Sequence, residues 1–255
     1  MEYLGFVVTE GHMPDEAVAE MNAGFPAYFA EMEARGVRLY GRELDEPGRG
    51  VTVRVRNGEM LVADGPFAET KEFIGGFDVL DCADLDEAIE VESKSPVAKF
   101  LPFEVRPFRD GLRVAEPQAA AFDRQDDAAG LPYLLMAWAS ATPAEPLNEQ
   151  AVRQESEAWR QQLEAGGGYI LGGALGGPET ATTLRFRDGE TRLSDGPFLD
   201  LEEFITSIDV VSCADREQGV ALAAAHPLAR YYAIEARPFY GQAIHAQRLL
   251  EESQE

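Results

Sequence analysis

Apolar residues run almost unbroken from Tyr3 to Val8, which predicts a strand over Tyr3–Thr9. Pro14-Asp15-Glu16 then reads as a helix start, and Met21, Tyr28 and Met32 fall on one helical face at spacings of seven and four. Pro26 lies inside that pattern and predicts a kink, and Gly36 predicts the helix end. Val37–Leu44 reads as a second strand. In the next segment Val51, Val53 and Val55 alternate with Thr52, Arg54 and Arg56, the period of a half-buried strand. Asn57-Gly58 is a two-residue hairpin turn, and Met60–Ala63 is its return strand. Phe73–Leu80 predicts a further strand, Asp84 caps a helix that runs to about Ser93, and Phe103–Phe108 closes the series as a strand.

The same series then recurs. Asp64-Gly65-Pro66-Phe67 returns as Asp195-Gly196-Pro197-Phe198, 131 positions later. From Ala27 to Phe108 the two copies align without a gap, and about 30 of 82 positions are identical. Val152, Trp159 and Leu163 repeat the helical face, with Gly167 at its end, and Asp188-Gly189 repeats the hairpin turn. The chain therefore divides into copy 1 (1–110), a linker (111–130) rich in Ala, Asp and Gln, copy 2 (131–242), and a tail (243–255).

Within a copy the order is β-α-β-hairpin-β-α-β, the ferredoxin-like pattern with an added hairpin. Helices cover only one face of such a sheet, so the other face must find a cover. The expected architecture is α+β: tandem ferredoxin-like repeats forming a pseudo-dimer of the dimeric α/β-barrel type within one chain. The competing arrangement is a homodimer in which each copy pairs with a copy from a second chain.

Charge narrows the partners. Of 255 residues, 46 are acidic and 22 basic, a net charge of −24, which repels phosphate backbones and anionic lipid surfaces. Direct nucleic-acid binding is not expected. No run approaches the roughly 20 apolar residues of a membrane helix, and the N-terminus lacks the pattern of a signal peptide. The expected location is the cytoplasm, with Cys82 and Cys213 as reduced thiols packed at strand ends.

Asp64-Gly65-Pro66-Phe67-Ala68-Glu69-Thr70-Lys71-Glu72, then Gly75-Gly76-Phe77, resembles the hallmark of the YCII-related family, also called DGPF. The preceding Val53-Arg54-Val55-Arg56-Asn57-Gly58 and the closing Glu104-Val105-Arg106-Pro107 fit as well. The resemblance implies a dimeric α/β-barrel fold. It implies a His and an Asp near the inter-sheet cleft as the catalytic pair of some members, and cofactor-free chemistry on small ring compounds in relatives of similar fold. It also implies a regulatory link to extracytoplasmic-function sigma factors. Copy 2 departs from the pattern: Leu199-Asp200-Leu201-Glu202 replaces Ala68-Glu69-Thr70-Lys71, and Thr206-Ser207-Ile208 replaces the Gly-Gly-Phe.

Several residues carry candidate chemistry. Asp64 and Asp195 end a strand and enter a Gly-Pro turn. Their carboxylates would fix that turn by accepting backbone N–H groups, or serve as a general base or ligand anchor. Lys71, with Glu69 and Glu72 beside it, would keep Asp64 ionised if it faced it, and would dock an anionic substrate. Arg54 and Arg56, Glu104 and Arg106, and their counterparts Arg185 and Arg237, alternate on strands. They predict either cross-strand ion pairs or carboxylate recognition by arginine. His12 and His226 are the candidate acid–base partners of Asp64 or Asp195. No cofactor and no metal are expected, and glycines after a helix are the wrong context for a phosphate loop. The first expectation is a small-molecule-binding regulatory or accessory module. The alternatives are a cofactor-free enzyme using an Asp/His pair on a small anionic substrate, and a sigma-factor partner.

Overall fold

A computed structural model describes residues 1–11, 13–67, 71–115, 130–140, 143–187, 189–198 and 202–240. His12, most of the linker and the tail lie outside them. Copy 1 supplies β1 (Glu2–Thr9), α1 (Asp15–Arg35), β2 (Arg38–Glu43), β3 (Val51–Arg56), β4 (Glu59–Asp64), β5 (Phe73–Asp81), α2 (Leu85–Lys94) and β6 (Phe103–Pro107). The short β7 (Arg113–Val114) follows. Copy 2 supplies β8 (Leu131–Ser140), α3 (Glu149–Ala165), β9 (Tyr169–Ala174), β10 (Thr182–Arg187), β11 (Glu190–Asp195), β12 (Glu203–Cys213), α4 (Arg216–Ala225) and β13 (Ala233–Pro238). This is the α+β, ferredoxin-like order with its extra hairpin. Among the described residues no helix is long and apolar enough to cross a membrane.

Local chemistry explains most of the boundaries. Asp84 accepts the Glu87 N–H at 3.0 Å while Glu87 accepts the Ala83 N–H at 2.8 Å, a reciprocal cap at the start of α2. Asp215 and Gln218 repeat the device at α4. Asn57 and Gly58 both take positive φ at the β3–β4 turn, as a primed hairpin requires. Pro26 sits inside α1, which continues through it as one element of 21 residues. The start of the linker forms the short strand β7. Arg113 pairs with Glu157 at 2.6 Å and with Glu164, and the Ala115 N–H donates to the Ile170 carbonyl, so β7 is pinned to unit 2 by charge and by ladder bonds.

The two structural units are not the two sequence copies. Unit 1 comprises Met1–Glu43, Thr70–Gly111 and Ala174–Leu201; unit 2 comprises Leu44–Glu69, Leu112–Gly173 and Glu202–Glu255. The difference is the hairpin. In unit 1 the sheet order is β11-β10-β6-β1-β5-β2, so the hairpin of copy 2 extends the strands of copy 1. Thr182, Thr183 and Leu184 pair antiparallel with Val105, Glu104 and Phe103. In unit 2 the order is β4-β3-β13-β8-β12-β9-β7, and the hairpin of copy 1 extends the strands of copy 2, Val53, Thr52 and Val51 pairing with Ile234, Glu235 and Ala236. The duplication thus exchanges one hairpin for its twin, a domain swap made within one chain.

Each unit has its own core on the helix-bearing face. In unit 1, Tyr3, Leu80 and Val105 from the sheet meet Tyr28 and Met32 of α1 and Ala88 and Val91 of α2. In unit 2, Tyr133, Leu135, Val211 and Ile234 meet Val152 and Trp159, joined by Val51 and Val53 of the exchanged hairpin.

The core of unit 1 also holds a carboxyl group. Glu92 of α2 is fully buried, and among the described residues neither oxygen has a hydrogen-bond partner. It rests on Gly5, where an added Cβ would stand 1.8 Å from Oε1, so only glycine leaves room for it. Burial first, and then the nearby Asp78, push this carboxyl well above its ordinary range, with Arg38 opposing. A carboxyl held high in the folded state favours folding fully only below its unfolded value of about 4.3, and that contribution is lost as pH rises toward the folded one. Glu92→Gln removes this titration. Its urea midpoint should exceed that of the wild type at pH 8 by more than at pH 5; equal differences at both values would contradict the assignment.

Candidate functional site

The Asp-Gly-Pro-Phe turn docks on a buried carboxylate of the strand beside its own hairpin. After β4 the chain reverses at Gly65, whose φ of 94° lies in the region that disfavours side chains. The Thr52 hydroxyl donates to the Gly65 carbonyl at 3.1 Å, and the Gly65 N–H donates to the Gly50 carbonyl. Pro66 then directs the Phe67 N–H onto Glu235 Oε2 at 3.1 Å. The Trp138 indole N–H donates to the same oxygen at 3.1 Å, and Arg237 Nε donates to Oε1 at 3.0 Å. Glu235 and Arg237 lie two apart on β13, so they share a face, and both are about 99% and 98% buried respectively, with exposures of 1% and 2%. Unit 1 repeats the arrangement. The Phe198 N–H donates to Glu104 Oε2 at 2.9 Å, and Arg106 Nε donates to Glu104 Oε1 at 2.7 Å.

Beside this clamp, unit 2 has a pocket of about 170 Å³. Phe67 and Trp138 stack there with ring centroids 5.2 Å apart, and the Arg54 guanidinium lies 5.1 Å from the Phe67 centroid. Arg56 reaches the carbonyls of Ala229 and Arg230 at 3.1 and 3.2 Å, and Tyr231, Tyr232 and Glu203 complete the lining. Among the described residues, no hydrogen bond or ion pair reaches the Arg54 guanidinium. Burial first, and then Arg56, hold it below its ordinary value, while Glu203 opposes them. A partly desolvated guanidinium that makes no ion pair among the described residues, set beside aromatic rings, is suited to take an anion.

A second polar cluster lies under the helices of unit 2. Asp209 of β12 is fully buried and accepts from Arg160 Nε at 2.7 Å and Nη2 at 3.2 Å, and from the Tyr169 hydroxyl at 3.1 Å. The Leu228 N–H donates to His226 Nδ1 at 3.1 Å, so the imidazole proton is on Nε2, which stands 3.2 Å from Asp209 Oδ2. Trp159 packs on the ring edge-on at 4.8 Å. Asp78, the counterpart of Asp209, instead pairs with Arg38 at 2.6 Å.

The expected site residues separate accordingly. The Asp64 side chain is 85% exposed and pairs with Arg216, and its carboxylate does not hold the turn; that task belongs to Glu235. Asp195 is also exposed. His226 is buried against Asp209, so the pairing of Asp64 with His226 is not formed, and His12 lies outside the described residues. Arg106 and Arg237 are buried in ion pairs along their own strands, where the alternation had suggested cross-strand pairs or ligand contacts. Arg185 lies over Phe198 at 4.4 Å, as Arg54 does over Phe67. Lys71 is exposed and Glu72 half-buried. Cys82 and Cys213 are buried, and burial pushes their thiols up to about 11 and about 12, so neither is a nucleophile at neutral pH. No group of three or more His, Cys, Asp or Glu able to hold a metal occurs among the described residues.

Sequence reasoning missed Phe67, Trp138, Tyr231 and Tyr232 as pocket residues, Asp209 as the partner of His226, and Arg160 and Tyr169 as further partners of Asp209. One signal was present: Asp78 and Asp209 each interrupt an apolar strand at equivalent positions.

The YCII-related domain family matches residues 4–110 and again residues 133–240. The Uncharacterized protein R00369 of Rhizobium meliloti (strain 1021) is 59% identical over 39 residues, 15% of this chain and 32% of that protein.

Two stability measurements test this geometry. Glu235→Ala strands Arg237, the Trp138 indole and the Phe67 N–H, and should cost about 3–5 kcal/mol in chemical denaturation. Asp209 is held below its ordinary value although burial alone would raise it, because Arg160 and the His226 bond outweigh burial. Its contribution is present above the unfolded value of about 3.9 and is lost as pH falls through the folded one. Asp209→Asn should therefore destabilise strongly at pH 7, and its gap from the wild type should narrow on acidification below about pH 4.

Proposed function

We propose that this chain, which belongs to the YCII-related family, is a small-molecule-binding module of regulatory or accessory type, with its working site in the pocket of unit 2. The observation that carries this reading is Arg54: a guanidinium over the Phe67 ring, partly desolvated and making no ion pair or hydrogen bond among the described residues. A cation in that state gains by accepting an anionic ligand, since the ligand supplies the missing charge at little reorganisation. The enzyme reading loses its pairing of Asp64 with His226, because His226 is committed to Asp209 and Asp64 faces solvent.

The pseudo-dimeric barrel is part of the same proposal. It requires a single chain to be the functional unit, so light scattering should give a particle near 27.9 kDa and not its double.

A ligand that binds only the folded state raises its apparent stability by mass action, about 2.7 kcal/mol at one hundred times its dissociation constant. In a thermal-shift screen of anionic metabolites, stabilisation should be lost in Arg54→Ala and kept in Arg185→Ala, the equivalent change over Phe198. A stabilising compound indifferent to Arg54 would place the site elsewhere.

A further inference from the structure

Resting on that reading of the pocket, we infer that the anion Arg54 takes is the carboxylate of a small amino acid, whose ammonium group goes to Glu203. Arg54 is one of two half-buried charges in the lining that make no ion pair or hydrogen bond among the described residues. Glu203, at the start of β12, is the other. Glu203 is near enough to Arg54 to support its charge against burial. An arginine and a glutamate this close, both partly removed from water, gain by joining in a charge-assisted hydrogen bond. Here they line the same pocket and do not join. A ligand with a carboxylate at one end and a protonated amine at the other completes both at once.

The second cation of the lining is held differently. Arg56 donates to the carbonyls of Ala229 and Arg230 at 3.1 and 3.2 Å, which ties it to the wall. A simple monoanion would satisfy Arg54 but leave Glu203 unpaired, with a like charge brought beside it. An amine alone would do the reverse. The charge of the whole chain acts in the same direction: a net of −24 opposes the approach of a net anion but not of a zwitterion.

Size and surface fit the same class. The volume of about 170 Å³ is close to the roughly 150 Å³ of a cavity that holds benzene, which has as many heavy atoms as alanine. The surface that faces this space is mostly polar and open to solvent on one side, which suits a small charged molecule better than a hydrocarbon. Unit 1 places Arg185 and Glu72 at the equivalent positions, but Arg187 is exposed where Arg56 is half-buried, and Val8 stands in place of Trp138. The walls that carry the two charges are therefore particular to unit 2, which gives one ligand per chain.

The test is calorimetry on the full-length protein at neutral pH and constant ionic strength. The probes are glycine, L-alanine, propionate, which lacks the amine, and ethylamine, which lacks the carboxylate. Glycine or L-alanine should bind at one site per chain, roughly tenfold or more tightly than propionate or ethylamine. Arg54→Ala should abolish this binding, Glu203→Gln should bring the amino acid down to the level of propionate, and Arg185→Ala should change nothing. Neither pocket variant breaks a hydrogen bond or ion pair among the described residues, and the comparison of the four probes on the wild type stands without them. If propionate binds as well as the amino acids and depends on Arg54, the amino-acid assignment is overturned while the anion pocket survives. A preference for the amino acid that outlives Glu203→Gln overturns it in the same way. Two sites per chain overturn the restriction to unit 2. If none of the four binds, or if binding ignores Arg54, the ligand class and the pocket reading both fail.

Discussion

The carboxylate of Glu235 is the group on which the arrangement of unit 2 depends. A buried carboxylate is costly unless charge and hydrogen bonds replace its water. Here Arg237 on its own strand supplies the charge, Trp138 on the neighbouring strand supplies an indole N–H, and the exchanged turn supplies the Phe67 N–H. Three elements from both copies therefore converge on one side chain, and any of them misplaced leaves a buried charge short of donors. Glu104 makes the same demand in unit 1 through Arg106 and Phe198. The net stabilisation from such a pair is small. Its larger effect is on specificity, since a turn in the wrong register presents no N–H to the carboxylate.

That constraint gives the family signature a physical meaning. Glycine allows the positive φ that reverses the chain, proline has no N–H to misdirect, and the phenylalanine presents both the N–H that reaches the carboxylate and the ring that meets an arginine. The Glu-x-Arg-Pro at the end of each copy is the other half of the same joint. The two motifs lie far apart in sequence and in opposite copies, yet each is intelligible only beside its partner.

Much of the fold was legible in the sequence for a simple reason: period and capping act locally. The alternation of Val51, Val53 and Val55, the Asn57-Gly58 turn and the cap at Asp84 each determine a conformation from a few neighbouring residues. The hairpin exchange was not legible, because the valines of β3 satisfy the same period against β13 as they would against β6. Which sheet edge receives a strand is a tertiary choice and leaves the alternation unchanged. The arginines show the same limit. Arg54, Arg56, Arg106 and Arg237 look alike as alternating strand residues. Only the fold separates Arg106 and Arg237, spent on neighbouring carboxylates, from Arg54, left facing a ring. The candidate aspartates show it as well: their place in the Asp-Gly-Pro-Phe motif says that Asp64 and Asp195 matter but not whether they face water.

The two copies can be compared with each other once the exchange is known. What duplication has kept is the joint: Asp-Gly-Pro-Phe, the paired arginines of the hairpin, and Glu-x-Arg-Pro are the same in both. What has diverged surrounds it. Under the helices, Asp209 is answered by Arg160, Tyr169 and His226, whereas Asp78 is answered by Arg38 and sits near the buried Glu92, whose oxygens find no hydrogen-bond partner among the described residues. At the pocket, Trp138, Tyr231 and Tyr232 face a joint whose counterpart has Val8, Phe100 and Leu101. If the joint alone carried the function, both sets of surroundings would be free to drift toward ordinary apolar packing, as Val8 and Leu101 have. In unit 2 the surroundings instead combine three large aromatic side chains with an arginine that makes no ion pair among the described residues, an arrangement that packing alone does not require. Scaffold and specialisation are thus separated within one chain: the repeated joint builds two units, and the unrepeated lining equips one of them.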